Sequence, residues 1–181
     1  MIRPAAAADF DAILAVINDG AEAYRGIIPV DRWKVPYMPA EELRHEIAAG
    51  VRFSVFERVS AVVGAMGVQD VRDVTLIRHA YVRTRFQGQG IGGALLDHLT
   101  SRATRPVLIG TWAAARWALR FYEKRGFRVV PPDVKERLLR AYWTIPDRQI
   151  ETSVVLADRR WLERNPIISS AADEAEGDAA L

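Results

Sequence analysis

The chain has no cysteine in its 181 residues, which excludes disulfides and thiolate metal sites. It has no apolar run approaching the roughly 20 residues a helix needs to cross a bilayer. The opening Met1-Ile2-Arg3-Pro4 leads through alanines to Asp9 and Asp11 without a signal-peptide core. A cytoplasmic location with no membrane partner is therefore the expectation. Dense basic runs are also missing. The arginines are scattered, so no nucleic-acid partner is expected, and no metal is expected either.

What remains is ordinary for a globular chain: half the residues are apolar, 27% charged and 9% aromatic. The length suits one domain with a sizeable core. The net charge of +2 hides an asymmetry. Residues 161–181 hold five acids and one base, which leaves 24 basic and 18 acidic residues in the remainder. A moderately basic body suits a polyanionic small molecule.

Ile2 to Pro4 reads as a first strand, and Asp9 as the cap of a helix with Phe10, Ile13, Leu14 and Ile17 on one face. The long Gly20–Pro39 connection carries Tyr24, Arg25, Trp33 and Tyr37 and has the length of a functional lid. A second helix starts at Pro39-Ala40-Glu41-Glu42 and ends at Gly50. Val51–Glu57, Ala61–Gln69 and Val74–Val82 form an antiparallel meander by their short links. A helix from Ile91, a buried strand at Val107-Leu108-Ile109, a helix from about Ala113 to Lys124 and a strand Phe127–Val130 follow. Residues 131–149 resemble an insertion with a helix over Val134–Trp143, before a last strand Ile150–Leu156. The expectation is a 1–157 domain and a 158–181 extension whose acidic part, from about 169, is a mobile tail. The order βααβββαβαβ(α)β is α+β (mixed α/β), with a central, mostly antiparallel sheet flanked by helices.

The meander runs into Gln87-Gly88-Gln89-Gly90-Ile91-Gly92-Gly93, four glycines in seven residues at the start of a helix. Free N–H groups and the positive end of the dipole would face an anion there, most simply a phosphate. Gly88, Gly90 and Gly93 match GxGxxG, but a dinucleotide site needs an acid about 20 residues on. That region reads Ile109-Gly110-Thr111-Trp112-Ala113-Ala114. No GK[ST] follows the glycines, so a Walker loop fails as well.

The stretch Tyr81 to Gly92 resembles the acyl-coenzyme A signature Q/R-x-x-G-x-G/A of the GNAT superfamily of N-acetyltransferases. Ala118-Leu119-Arg120-Phe121-Tyr122-Glu123-Lys124-Arg125-Gly126-Phe127 is similar to the family's A-x-x-F-Y-E-x-x-G-F segment. Both occur in the family's order, within a resemblance over residues 1–157. It implies a GNAT-like acyltransferase fold that transfers acetyl from acetyl-CoA to a primary amine of a small molecule, or to a peptide or protein amine, by direct attack on the thioester. The N–H groups of Gln87, Gly88, Gln89, Gly90, Ile91 and Gly92 would hold the pyrophosphate. Backbone of Ala80, Tyr81 and Val82 would meet the pantetheine and acetyl carbonyl. Tyr122 would serve as general acid or thiolate stabiliser.

The base is left open. Where family members often carry Glu or His on the strands beside the loop, this chain has Leu76, Arg78 and Ala80, or Gly110. His79 falls on the opposite face by strict alternation, unless a bulge shifts the register. His79 is the candidate base, and Arg78 the candidate partner for an acceptor anion. Tyr24 and Trp33 head the candidate substrate walls, with Arg25, Tyr37, Arg140, Trp143 and Arg148. Ala115 stands where the family often has an asparagine. Two other classes stay open: a non-catalytic acyl-CoA sensor, and an RNA- or partner-binding protein with a purely structural glycine loop. A homodimer is compatible with the sequence.

Overall fold

The computed structural model describes residues 1–166 and divides into two compact units. Met1–Asp70 and Thr75–Thr104 make the first, and Val71–Val74 with the chain from Arg105 make the second. The expected acidic tail lies outside the described residues. The elements are mixed α/β, with mostly antiparallel strands flanked by helices, as the sequence implies.

The first unit holds β1 (Ile2–Pro4), α1 (Phe10–Ala21), α2 (Ala40–Ala48), β2 (Arg52–Arg58), β3 (Ala61–Val71), β4 (Val74–Val82) and α3 (Ile91–Thr100). β2 pairs antiparallel with both β1 and β3, and β4 follows β3 in the sheet. Alternation along β3 sorts the two faces. Ala65 joins Ile13, Val16, Ile17, Leu43, Val51, Phe53 and Val55 in a core beneath α1 and α2. Gly64 faces α3, where a Cβ would lie 2.9 Å from Ile91 Cγ2 and 3.1 Å from Leu95 Cδ1. The missing side chain lets α3 ride close on the strand, which fixes the start of that helix.

Asp9 precedes α1 as expected, but its carboxylate does not cap the helix. It ends a short 3-10 turn over Ala7–Asp9 and accepts hydrogen bonds from Arg3 Nη1 (2.7 Å), Arg3 Nη2 (2.9 Å) and the Ala6 N–H (2.7 Å). An arginine two-pronged on a carboxylate outcompetes an ordinary cap. The Arg3 bonds, and then the Ala6 N–H, hold the Asp9 carboxyl down at about 2. A depressed carboxyl contributes stability above its unfolded value of 3.8 and loses that contribution as pH falls through about 2. Asp9→Asn is therefore expected to lower the melting temperature at pH 7 and to flatten its fall between pH 4 and 2. Parallel wild-type and variant melting curves across that acid window would count against the pairing.

The second unit holds β5 (Val107–Trp112), α4 (Arg116–Glu123), β6 (Arg128–Val129), α5 (Pro132–Tyr142), α6 (Asp147–Thr152), β7 (Ser153–Ala157) and α7 (Arg159–Arg164). β7 pairs antiparallel with β5 and β6. Two expectations shift. The helix read from Ala113 begins at Arg116, because the Ala113 N–H still donates across to Thr152 O at 2.9 Å. The last strand starts at Ser153, because Ile150 belongs to α6, opened by Pro146 and carrying Asp147 in its first turn. Ile150 is buried from a helix, so the apparent alternation through it is accidental. Beyond β7, Asp158 caps α7 through the Trp161 N–H at 2.9 Å, and Trp161 is buried.

Candidate active site

In the first unit, β4 leads through a 3-10 turn over Thr84–Phe86 into the glycine loop. Asp19 at the end of α1 anchors that turn: the Thr84 N–H donates to Asp19 Oδ2 (2.5 Å) and the Thr84 hydroxyl to Asp19 O (3.1 Å). The glutamine side chains brace the loop. Gln87 Nε2 donates to Val82 O (3.1 Å), Gln89 Nε2 to Arg85 O (3.3 Å), and Arg58 Nη1 donates to Gln89 Oε1 (2.6 Å). The backbone is thereby left to whatever approaches.

Gly88 and Gly90 take φ +73 and +79, and nothing lies within 4 Å of a Cβ built on either. The positive φ calls for glycine at both positions, and the space above the loop is left open. Gly90 is the N-cap of α3. Among the described residues, no acceptor meets the N–H groups of Gly88, Gln89 and Gly90. With the first N–H groups of α3 they form a row of free donors at a positive dipole end. That chemistry fits a pyrophosphate.

Gln87, Gly88, Gln89, Gly90, Ile91 and Gly92 thus fall together, with Ala80, Tyr81 and Val82 on the strand leading in. Gly20 lets α1 press on this strand: a Cβ there would sit 2.9 Å from Val82 O. The Tyr81 hydroxyl donates to Tyr37 Oη at 3.1 Å, and its ring meets Tyr24 and Tyr37 edge-on at 6.1 and 6.0 Å. Trp33 packs on Tyr37 (5.5 Å) beneath the Arg25 guanidinium (4.9 Å). The Gly20–Pro39 connection is therefore an aromatic cluster built on β4.

His79 breaks the alternation of β4 with φ +49, a left-handed backbone that places its side chain and that of Arg78 on one carboxylate, Glu46. Arg78 Nη2 donates to Glu46 Oε2 (2.5 Å) and Nη1 to Gln69 Oε1 (2.6 Å). His79 Nε2 lies 3.2 Å from Glu46 Oε2. Burial works to raise the Glu46 carboxyl, but the His79 contact and the Arg78 charge outweigh it and hold the group below the ordinary carboxylate range. Sequence reasoning sought a carboxylate on the strands and missed Glu46 on α2. The signal was its place three residues after Leu43, on the helix face that enters the core.

In the second unit, Tyr122 of α4 is 6% exposed, its ring edge-on to Phe121 (5.0 Å) and Phe127 (6.3 Å). Burial pushes its hydroxyl up from the ordinary tyrosine value. No described group hydrogen-bonds that hydroxyl. Trp143 lies on β5, 3.3 Å from a Cβ built at Gly110. Arg140 is paired with Glu136 and Asp147, and Arg148 with Glu151, on the surface. Ala115 is buried and begins α4 without a side-chain cap.

A family model described as an acetyltransferase (GNAT) domain matches residues 18–142. The chain belongs to the GNAT family of acetyltransferases, and is an acetyl-CoA-dependent acyltransferase. Solved structures repeat the fold at low identity. The PaiA N-acetyltransferase of Thermoplasma acidophilum, in complex with coenzyme A, is 16% identical over 87% of this chain and 97% of that one, with a TM-score of 0.65. The Escherichia coli ribosomal-protein-S18-alanine N-acetyltransferase is 16% identical over 87% and 92%, with a TM-score of 0.61. A GNAT acetyltransferase from Elizabethkingia anophelis with acetyl-CoA bound is 22% identical over 87% and 95%, with a TM-score of 0.56. No curated protein matches the chain. Among the described residues, no group of His, Asp and Glu has the spacing to hold a metal, and no helix is long and apolar enough to cross a membrane.

Proposed function

We propose that the chain transfers an acetyl group from acetyl-CoA to a primary amine of a small molecule, or to a peptide or protein amine, by direct attack on the thioester. The observation that carries this is the braced glycine loop, with unengaged N–H groups at Gly88, Gln89 and Gly90 and open space above them. These donors bind the pyrophosphate, and the backbone of Ala80 to Val82 orients the pantetheine arm. Tyr122 donates a hydrogen bond to the departing sulfur, and His79 is the proton acceptor. Arg78, Tyr24 and Trp33 belong to the acceptor side.

The protonation of the acceptor sets how much a base must do. An alkyl amine near pKa 10.4 costs about 4.6 kcal/mol to deprotonate at pH 7, and an α-amine near 7.8 only about 1 kcal/mol. An α-amine acceptor therefore needs modest help, whereas an alkyl amine depends on the base.

Calorimetry with acetyl-CoA followed by a free-thiol assay over a panel of α-amines and alkyl amines tests the reading. Binding and thiol release with at least one amine are expected. Absence of binding at high micromolar acetyl-CoA defeats the proposal outright. Binding without turnover across the panel makes the protein an acyl-CoA sensor.

A further inference from the structure

The first unit builds a carboxylate–imidazole pair that neither the family match nor the motifs assign. Glu46 from α2 and His79 from β4 are 33 positions apart, and their polar atoms meet at 3.2 Å. The contact exists because His79 adopts φ +49, which is uncommon for a residue with a side chain and clusters at functional sites. The ring is clamped from the other side by Phe53 of β2, stacked at 6.0 Å and 26°. Glu46 is fixed in turn by Arg78, which is itself held by Gln69, whose Nε2 donates to Ala49 O at 2.9 Å. Only one ring nitrogen is used. Among the described residues no group hydrogen-bonds His79 Nδ1, and the side chain keeps 15% of its exposure.

We propose that Glu46 is the positioning residue of the acetyl transfer: it accepts the Nε2–H of His79 and so presents Nδ1, unprotonated, as the proton acceptor for the amine. This rests on the acetyltransferase reading above. His79 immediately precedes the Ala80–Val82 backbone assigned there to the thioester. The acceptor ammonium gives one proton to Nδ1, and its freed lone pair attacks the thioester carbonyl carbon. As the C–S bond breaks, sulfur keeps the electron pair and takes a proton, and the nitrogen sheds its second proton. The sum is amide, free thiol and one proton passed from His79 to water. The charged groups facing His79 are Glu46 from α2 and Arg78 from β4.

The competing role is a mere tie between α2 and β4, and a double-mutant cycle separates the two. His79→Asn removes the imidazole with a residue that tolerates the left-handed backbone. Glu46→Gln and His79→Asn are each expected to lower kcat/KM at least about tenfold with acetyl-CoA affinity unchanged. The double variant should be no slower than His79→Asn alone. Losses that multiply overturn the proposal. If Glu46→Gln does not fold, ring 15N spectra of the wild type still decide, with His79 assigned by its disappearance in His79→Asn. The Nε2–H tautomer at neutral pH is required, and the Nδ1–H tautomer overturns it. A wild type that fails to bind acetyl-CoA, or binds it and acetylates no amine, defeats the acetyltransferase reading itself, and the tautomer then reports on Glu46 separately.

Discussion

Tyr122→Phe is expected to lower kcat by about 10²- to 10³-fold while acetyl-CoA affinity and the melting temperature stay close to wild type. The ring is the packed part of this residue, wedged edge-on between Phe121 and Phe127, and phenylalanine keeps it. The hydroxyl has no described protein partner, so its removal orphans nothing in the fold. The role proposed for it is a hydrogen bond to developing negative charge on sulfur. An ordinary tyrosine is already a weaker acid than a thiol by roughly 2 kcal/mol of proton affinity. Burial pushes the Tyr122 hydroxyl further up, so complete proton transfer becomes less favourable and the neutral phenol persists as donor. It follows that Tyr122 adds no alkaline limb to kcat below about pH 10. Steady-state kinetics with the best amine of the panel, beside calorimetry, measures both quantities. Unchanged turnover in the phenylalanine variant would remove Tyr122 from the reaction.

The second large effect is expected at Gly90. Gly90→Val puts a β-branched side chain at φ +79, a true outlier with a strain of about 1–3 kcal/mol. No protein atom lies within 4 Å of the new Cβ, so the valine projects into open space and the core under α3 is untouched. The stability loss is therefore limited to the strain. Acetyl-CoA binding should weaken by tenfold or more, because the side chain occupies the space through which phosphate oxygens reach the N–H groups. Calorimetry and thermal denaturation on one sample separate the two effects. A variant that loses several degrees of stability yet binds acetyl-CoA normally would mean that the loop is only a tight helix start.

The sequence alone determined the donor side of this protein. Strand β4 was legible to the residue because Val74 to Val82 is rich in β-branched, aliphatic and aromatic residues and is bounded by turns on both sides. The glycine loop was legible because its demands are local: positive φ at Gly88 and Gly90 and a helix start after Gly90 are properties of a few adjacent residues. The Phe121-Tyr122 segment was legible for the same reason, because its motif runs through the end of α4 and the Gly126 turn that directly follows it. Elements read from short alternation were less secure. Ile150 looked like strand and is helix, and Asp9 looked like a helix cap but is claimed by Arg3.

Tertiary structure alone decided the side-chain cluster of the first unit that we propose for the acceptor side. Glu46, Gln69, Arg78 and His79 converge only after α2 packs on the sheet, and Arg78 and His79 share a carboxylate only because φ at His79 is +49. No period of 2 or 3.6 encodes a single reversed dihedral, and no spacing brings residue 46 to residue 79. A phosphate cradle is made by consecutive backbone groups and is therefore written into consecutive letters. A proton-transfer site is made by side chains from separate elements, and only folding brings those together.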